Sequence, residues 1–471
     1  MSLLQKALIL DIETDGLDAT KIWCCSTNLF GTVYNEQEFK EGLASCGTTS
    51  IVAHNGIGFD YPVLERIWNV DWSGYDLYDS LVLSRLANPS REKGHSLRQW
   101  GETLGFPKGE HEDWTQLTCE MVKYCEQDVA VTVQVLQQLQ LELSGFGEEA
   151  IKLEHDVQRI VQKQVGNGWL IDDKHANLLL AELKEKLYAL EDTVHKTFLP
   201  LPTYVKTVVP KIKKDGTLST VGLKFLGDAW TQVVGEFSRV DYPPFNLGSR
   251  KQIGRYLQHF GWKPTAFTEK GHAIVDESTL DNVQGIPEAK LIAEYIMVQK
   301  RIAQVQSWLD AVKEDGRVHG YVNSNGAVTG RMTHSSPNMA QVPSTNSPYG
   351  EECRACWVAP EGYKVVGMDA SGLELRMLAH YMGDKEFTNV LLKEDIHTRN
   401  QLAAGLETRP QAKTFIYAFL YGAGDAKIGN IVGGSASDGA YLKERFLRNT
   451  PSLGSLRERV VKAAGRGYLR G

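Results

Sequence analysis

The sequence predicts an α/β protein whose sheet lies at the N-terminal end, and three patterns carry that expectation. Residues 6–12 (KALILDI) and 29–34 read as strands, and 117–143 is a long helix of apolar period that stops at Ser144 and Gly145. Helical periods follow at 148–166, 173–197 and 286–314, the last stopping at Asp315-Gly316, so the middle is mainly helical. From 317 onward a Gly/Asn/Ser-rich stretch gives way to a strand-like run, Tyr363 to Met368, and then to helices beginning at 371 and 409.

The length of 471 residues suggests about three domains at roughly 150 residues each. Hydrophobic residues are 42% and charged residues 23%, which excludes a disordered tail, a collagen-like chain or a coiled-coil rod. The formal charge of −7 excludes a uniformly basic nucleic-acid coat, but a local basic cleft can coexist with it. Residues 199–245 hold five prolines, with Lys206, Lys211, Lys213 and Lys214 among them, and read as a loop-rich insertion. Seven cysteines in a long chain without secretion features are expected to be reduced thiols. Cys353-x-x-Cys356 lacks the second ligand pair that a zinc site needs. Met1 to Leu10 has no signal-peptide core, and no apolar run reaches the roughly 18 residues of a membrane span.

Four acids are dispersed through the N-terminal part. Asp11-Ile12-Glu13 closes an apolar strand, and the two-residue period aims both carboxylates to one side. Asp60 ends the run His54-Asn55-Gly56-Ile57-Gly58-Phe59-Asp60 after an apolar segment, and Tyr124 and Asp128 stand four apart on one helix. Each feature alone is usually a cap or a solvated charge. Convergent carboxylates repel one another unless cations join them, which suggests Mg²⁺ or Mn²⁺ and two-metal phosphodiester hydrolysis, with two ions about 3.5–4 Å apart.

A second constellation begins at Thr408, which can cap a helix with Gln411 completing a capping box and Pro410 in the first turn. Arg409, Lys413, Tyr417 and Tyr421 then recur every four residues as one stripe, two cations followed by two rings. Such a stripe suits a triphosphate held by a fork-shaped and a point charge, with rings for sugar and base. Taken alone it is more often an ordinary amphipathic helix.

The order of the three acidic segments, with Tyr124 four residues before Asp128, resembles the DEDD-type 3′→5′ exonucleases of the tyrosine subclass. The resemblance covers about residues 6–140. It implies an RNase H-like sheet, catalytic metal ligands Asp11, Glu13, Asp60 and Asp128, Tyr124 positioning the attacking water and Asn55 contacting DNA; Asp79, in Tyr78-Asp79-Ser80-Leu81, is read as structural or DNA-contacting. Asp369-Ala370-Ser371-Gly372-Leu373-Glu374-Leu375-Arg376 is similar to motif A of the family A (Pol I-like) DNA polymerases, and Arg409-x3-Lys413-x7-Tyr421-Gly422 to their motif B. Thr329-Gly330-Arg331 through Pro343 resembles their primer-template segment, and Asn246-Leu247-Gly248-Ser249 a thumb hallmark. The text around His397, Lys413 and Tyr421 is similar to the replicative polymerases of T-odd short-tailed phages.

This resemblance implies that Asp369 and the Ala370 carbonyl hold the catalytic metals, that His397, Arg409 and Lys413 hold the triphosphate, and that Tyr421 lies at the template-base pocket. Glu374 and Tyr417 would close over the sugar, while Arg331 and Gln341 would contact the primer-template minor groove. The implied domains are an exonuclease at 1–145, a thumb at 146–318 containing the 199–245 insertion, a partial palm at 319–381 and incomplete fingers at 382–471. The implied partners are primer-template DNA, dNTPs and a processivity factor such as thioredoxin at the insertion; the implied location is the cytoplasm of an infected bacterial host. Motif C, a His-Asp-Glu hairpin, is missing: His111-Glu112-Asp113 has the wrong order and lies in the exonuclease part, and the sequence stops at Gly471. The expectation is therefore a polymerase portion that extends primers only with a separate polypeptide carrying motif C. The alternatives are a stand-alone exonuclease with a DNA-binding polymerase remnant and a non-catalytic replication protein.

Overall fold

The computed structural model describes residues 6–264, 267–268, 270–275, 279–280, 283 and 285–467; residues 1–5 of the N-terminal run and the terminal Gly471 lie outside them. The chain divides into two compact units, Met1–Lys364 and Val365–Gly471.

In the first unit, β1 (Leu8–Thr14), β2 (Ile22–Thr27), β3 (Gly31–Val33), β4 (Ser50–Ala53) and β5 (Asp76–Asp79) form one sheet in the order β3-β2-β1-β4-β5. β1 runs antiparallel to β2, and β4 and β5 run parallel to it on the other side. Helices cover both faces of the sheet around β1, and this segment supplies apolar side chains to each. Leu8, Leu10 and Ile12 enter one core with α1 (Glu36–Ser45) and α2 (Asp60–Trp68). Ala7 and Ile9 enter a second with α3 (Ser80–Ala87), α4 (Leu97–Leu104) and α5 (Cys119–Glu142). The period of two therefore assigns Asp11 and Glu13 to the α5 side of the sheet.

α6 (Glu148–Asn167) and α7 (Asp173–Thr197) follow, and α7 packs along the helix Glu288–Leu309 around a third core. Cys353 and Cys356 belong to that core, with burial pushing their thiols up to about 11 and about 12, so their spacing serves packing. The second unit is helical among its described residues, built around Phe415, Ile416, Ile428 and Phe446. None of the described helices is long and apolar enough to cross a membrane.

Several expectations require correction. The first strand extends to Thr14, so both acids lie within the sheet and not at the strand's end. The strand expected at 29–34 is confined to Gly31–Val33, because Thr27 Oγ1 and the Gly31 carbonyl close a tight turn before it. The helix expected at 286–314 ends at Leu309, where Val312 turns to pair with Val318 and the Lys313 amide bonds Arg317 O. The insertion holds an antiparallel hairpin, Thr203–Val208 with Phe237–Asp241. Tyr363 to Met368 is not a strand: it has no ladder partner among the described residues, and Val366 and Met368 are 80% and 95% exposed. An apolar alternation gives a strand only where a neighbour takes its backbone hydrogen bonds.

Candidate active sites

The fold brings the four N-terminal acids together. Asp11 and Glu13 project from β1, Asp60 opens α2 and Asp128 stands one turn beyond Tyr124 on α5. Glu13, Asp60 and Asp128 are buried. The Ile12 amide donates to Asp60 Oδ1 at 3.3 Å, tying the second segment to the first. Asp79 fixes the loop that delivers Asp60: its carboxylate accepts from the amides of Asn55 (2.9 Å), Ile57 (3.1 Å) and Leu81 (2.9 Å). Asn55 adopts a left-handed conformation (φ 65°), which asparagine tolerates better than most residues. Asp79 is thus structural here, holding Asn55 and capping α3.

Burial and mutual repulsion dominate the electrostatics. Desolvation, then Asp60, Asp128 and Glu13, push Asp11 well above the ordinary carboxylate range. Burial, followed by the charge of Asp128, lifts Glu13 to about 8, and burial lifts Asp60 to about 7. Asp128 is raised by burial against the opposing pull of Lys108. Its Oδ1 is buried without a hydrogen-bond partner, while its Oδ2 takes the Lys108 ammonium. An acid cluster with an orphaned inward oxygen is a set of hard donors suited to a divalent cation. Cys125 joins it: its Sγ donates to Asp11 O at 3.3 Å and lies 3.7 Å from Asp11 Oδ2. Ligand atoms of Asp11, Glu13 and Cys125 all fall within 4.8 Å of one another.

Sequence reading missed Cys125 and Lys108. Cys125 is three residues before Asp128 on the same helix, a spacing that should have drawn notice. Lys108 lies in a loop and carries no periodic signal. Tyr124 packs edge-on against Trp114 and tilted against His111, with centroids 5.8 and 5.9 Å away.

In the second unit the helix Arg409–Leu420 starts as expected, with Thr408 and Gln411 forming a reciprocal capping box. Ala412, Phe415 and Ile416 are buried, leaving Arg409 and Lys413 exposed. Tyr421 is the residue that ends the helix, and its hydroxyl donates to Glu374 Oε1 at 3.1 Å. Burial, then Glu374, Tyr421 and Asp369, raise the Tyr417 phenol, so those four groups share one neighbourhood. His397 lies beside Tyr417 (ring centroids 6.2 Å), and burial, then Arg409, hold it below its ordinary pKa. Arg409 is engaged by Asp395, with Nε and Nη2 at 2.5 and 3.1 Å from its two oxygens. Asp369 and Ala370 lie in the exposed segment without regular structure.

In the first unit, Arg331 and Gln341 are exposed, on the approach to Thr333–Ser335 and at the end of a short turn of helix. Ser249 caps Arg250–His259, and the Asn246 side chain accepts from the Gly248 amide at 2.8 Å.

The DNA polymerase family A model matches residues 225–470, more than half of the sequence, and the chain belongs to that family. It is of the phage type. The DNA-directed DNA polymerases of Enterobacteria phage T3 and Escherichia phage T7 are each 36% identical to it over 87% of this chain and 73% of their own length. The thermostable DNA polymerase I of Thermus filiformis is 31% identical over half of the chain. Among solved structures, the POL domain of Pol1 from M. smegmatis, in complex with DNA primer-template and dNTP, covers 98% of this chain and 75% of its own at a TM-score of 0.72. At 17% identity that last likeness is one of fold.

Proposed function

We propose that the first unit carries a 3′→5′ exonuclease and that the chain is the exonuclease-bearing portion of a replicative DNA polymerase. The observation that carries this reading is the convergence of Asp11, Glu13, Asp60 and Asp128 on one buried site beside Tyr124. The five-stranded order β3-β2-β1-β4-β5, in which only β2 runs antiparallel to β1, supports the RNase H-like reading. The four carboxylates would hold two Mg²⁺ or Mn²⁺ ions. When bound, such ions supply an activated water and charge for the leaving oxygen. Tyr124, its ring fixed by Trp114 and His111, orients the attacking water, and Asn55 contacts the DNA strand. A 5′-labelled primer-template incubated with Mg²⁺ and no dNTP tests the reading. The wild-type chain shortens the primer, and Asp11→Ala with Glu13→Ala stops it; equal shortening by both contradicts the assignment.

The second unit, in this reading, binds the incoming dNTP: His397, Arg409 and Lys413 at the phosphates, Glu374 and Tyr417 at the sugar, Tyr421 beside the template base. Arg331 and Gln341 contact the primer-template. Asp369 with the Ala370 carbonyl supplies one side of the polymerase metal site, and the exposed run from Tyr363 to Asp369, without a ladder partner among the described residues, supports a partner for it. In this reading primer extension uses motif C carboxylates supplied by a separate polypeptide. Titrating such a polypeptide into an extension assay decides between this and a stand-alone exonuclease: rescue supports the first, and failure of every motif C polypeptide supports the second. The 199–245 insertion, in this reading, takes a processivity factor such as thioredoxin.

A further inference from the structure

We propose that Lys108 is a working residue of the exonuclease site, an internal cation that neutralises Asp128 until divalent ions arrive and then moves to the phosphate of the 3′-terminal nucleotide. The inference rests on the exonuclease reading above. Lys108 Nζ pairs with Asp128 Oδ2 and lies 4.6 Å from the centre of the Tyr124 ring. Its ammonium thus touches a proposed metal ligand and the proposed water-positioning residue at once.

The backbone around Lys108 is fixed while its side chain has room to move. A Cβ at Gly101 would come within 2.8 Å of Phe106 O and 2.9 Å of Lys108 N, so glycine alone lets this loop seat on α4. Gln127 Nε2, on α5, donates to Pro107 O at 2.9 Å. From that anchored backbone a flexible four-carbon stem carries the ammonium, with three donors on a compact charge. Lys108 and Tyr124 also line a cleft of about 750 Å³ together with Arg85, His95 and Arg98. Such a cleft suits an anionic strand. A phosphodiester entering beside four carboxylates meets repulsion, and Lys108 is the cation placed at the boundary between acids and cleft.

The two roles make opposite demands on one variant. Removing the ammonium in Lys108→Met frees Asp128 Oδ2, so the site should bind Mn²⁺ several-fold more tightly, measured by electron paramagnetic resonance of free Mn²⁺. The same change should lower the single-turnover rate on a 5′-labelled single-stranded oligonucleotide by about 10²-fold, as for loss of one preorganised donor to a developing charge. Lys108→Arg keeps the ion pair, so it should leave Mn²⁺ affinity near wild type and restore part of the rate. A structural lysine predicts the reverse for Met, with metal affinity falling alongside rate. Unchanged or weaker Mn²⁺ binding by Lys108→Met, an unchanged rate, or an Arg variant no better than Met would each overturn the proposal. Absence of 3′→5′ release by wild type, or full release by Asp11→Ala with Glu13→Ala, would overturn the exonuclease reading itself and this inference with it.

Discussion

The Tyr421 hydroxyl donates to the Glu374 carboxylate at 3.1 Å, joining residues 47 positions apart at the end of one helix and the first turn of another. Gly372, in a left-handed conformation, starts that helix without a side-chain cap, and Glu374 follows in its first turn. The Glu374 carboxylate accepts from the Tyr421 hydroxyl. Tyr421→Phe should destabilise the second unit by about 0.5–1.5 kcal/mol, the net value of one hydrogen bond. Combined with Glu374→Ala in a double-mutant cycle, the two changes should show a coupling energy of the same order by urea unfolding. Additive effects would mean that the bond contributes nothing in solution.

Tyr417 stands one turn earlier, in the electrostatic neighbourhood of Glu374 and Asp369. In extension assays supplemented with a motif C polypeptide, Tyr417→Phe should change discrimination among deoxy, dideoxy and ribo substrates far more than it changes DNA affinity. A site that hydrogen-bonds a substrate hydroxyl distinguishes analogues lacking it strongly. Identical discrimination in both proteins would remove Tyr417 from the sugar site.

Two glycines in the second unit give opposite expectations. A Cβ at Gly439 would lie 1.9 Å from Asp425 O and 2.7 Å from Gly429 N, both backbone atoms of the facing helix. Gly439→Ala should therefore cost about 1–3 kcal/mol through overpacking. Gly454, inside the helix Pro451–Ala464, meets nothing within 4 Å. Gly454→Ala should stabilise by about 0.5–1 kcal/mol from helix propensity. Thermal denaturation of the two variants checks both signs.

His155 gives the first unit a pH dependence. Its Nδ1 donates to Ile151 O at 2.7 Å and its Nε2 accepts from the Asp79 amide at 2.9 Å, which requires the neutral ring. Burial, against partial compensation from the Ile151 carbonyl, lowers its pKa to about 4 from 6.5. Between those values the unfolded chain binds the proton and the native one does not, so this contribution to stability is lost as pH falls from about 6.5 to 4. Glu13 and Asp60, raised to about 8 and about 7, act in the opposite direction. The informative quantity is therefore the difference between wild type and His155→Gln, which should narrow as pH falls through that window in urea titrations. A constant difference would mean that His155 does not titrate on unfolding.

Metal removal supplies a further check. If the acid cluster binds Mn²⁺, an ion present at about 100 times its Kd should stabilise the first unit by about 2.7 kcal/mol, and a chelator should reverse this. The stabilisation should be absent from Asp128→Asn. Equal shifts in both proteins would place the metal elsewhere.

Much of this was legible in the sequence because it depends on local periodicity. The helices at Cys119–Glu142, Asp173–Thr197 and Arg409–Leu420 follow from apolar spacing and caps that a short window contains. So does the shared side of Asp11 and Glu13. What escaped reading depends on distant partners. The Tyr363–Met368 run has the composition of a strand, but strand formation is decided by a neighbour. Lys108 acquires its role from a residue 20 positions away, the Asp128 carboxylate, while Asp79, read as structural or DNA-contacting, takes its particular partners, the Asn55 and Ile57 amides, from more than 20 positions away. No local pattern marks such contacts.

The central claim is that the buried acids of the first unit hydrolyse DNA from its 3′ end. Single-turnover release of the 3′-terminal nucleotide from a labelled single strand, started by Mg²⁺, tests it most directly. The wild-type chain should release that nucleotide, and Asp11→Ala with Glu13→Ala should be slower by about 10³-fold, the equivalent of several kcal/mol of lost charge stabilisation. Equal rates for the two proteins, or no release by wild type, would contradict it.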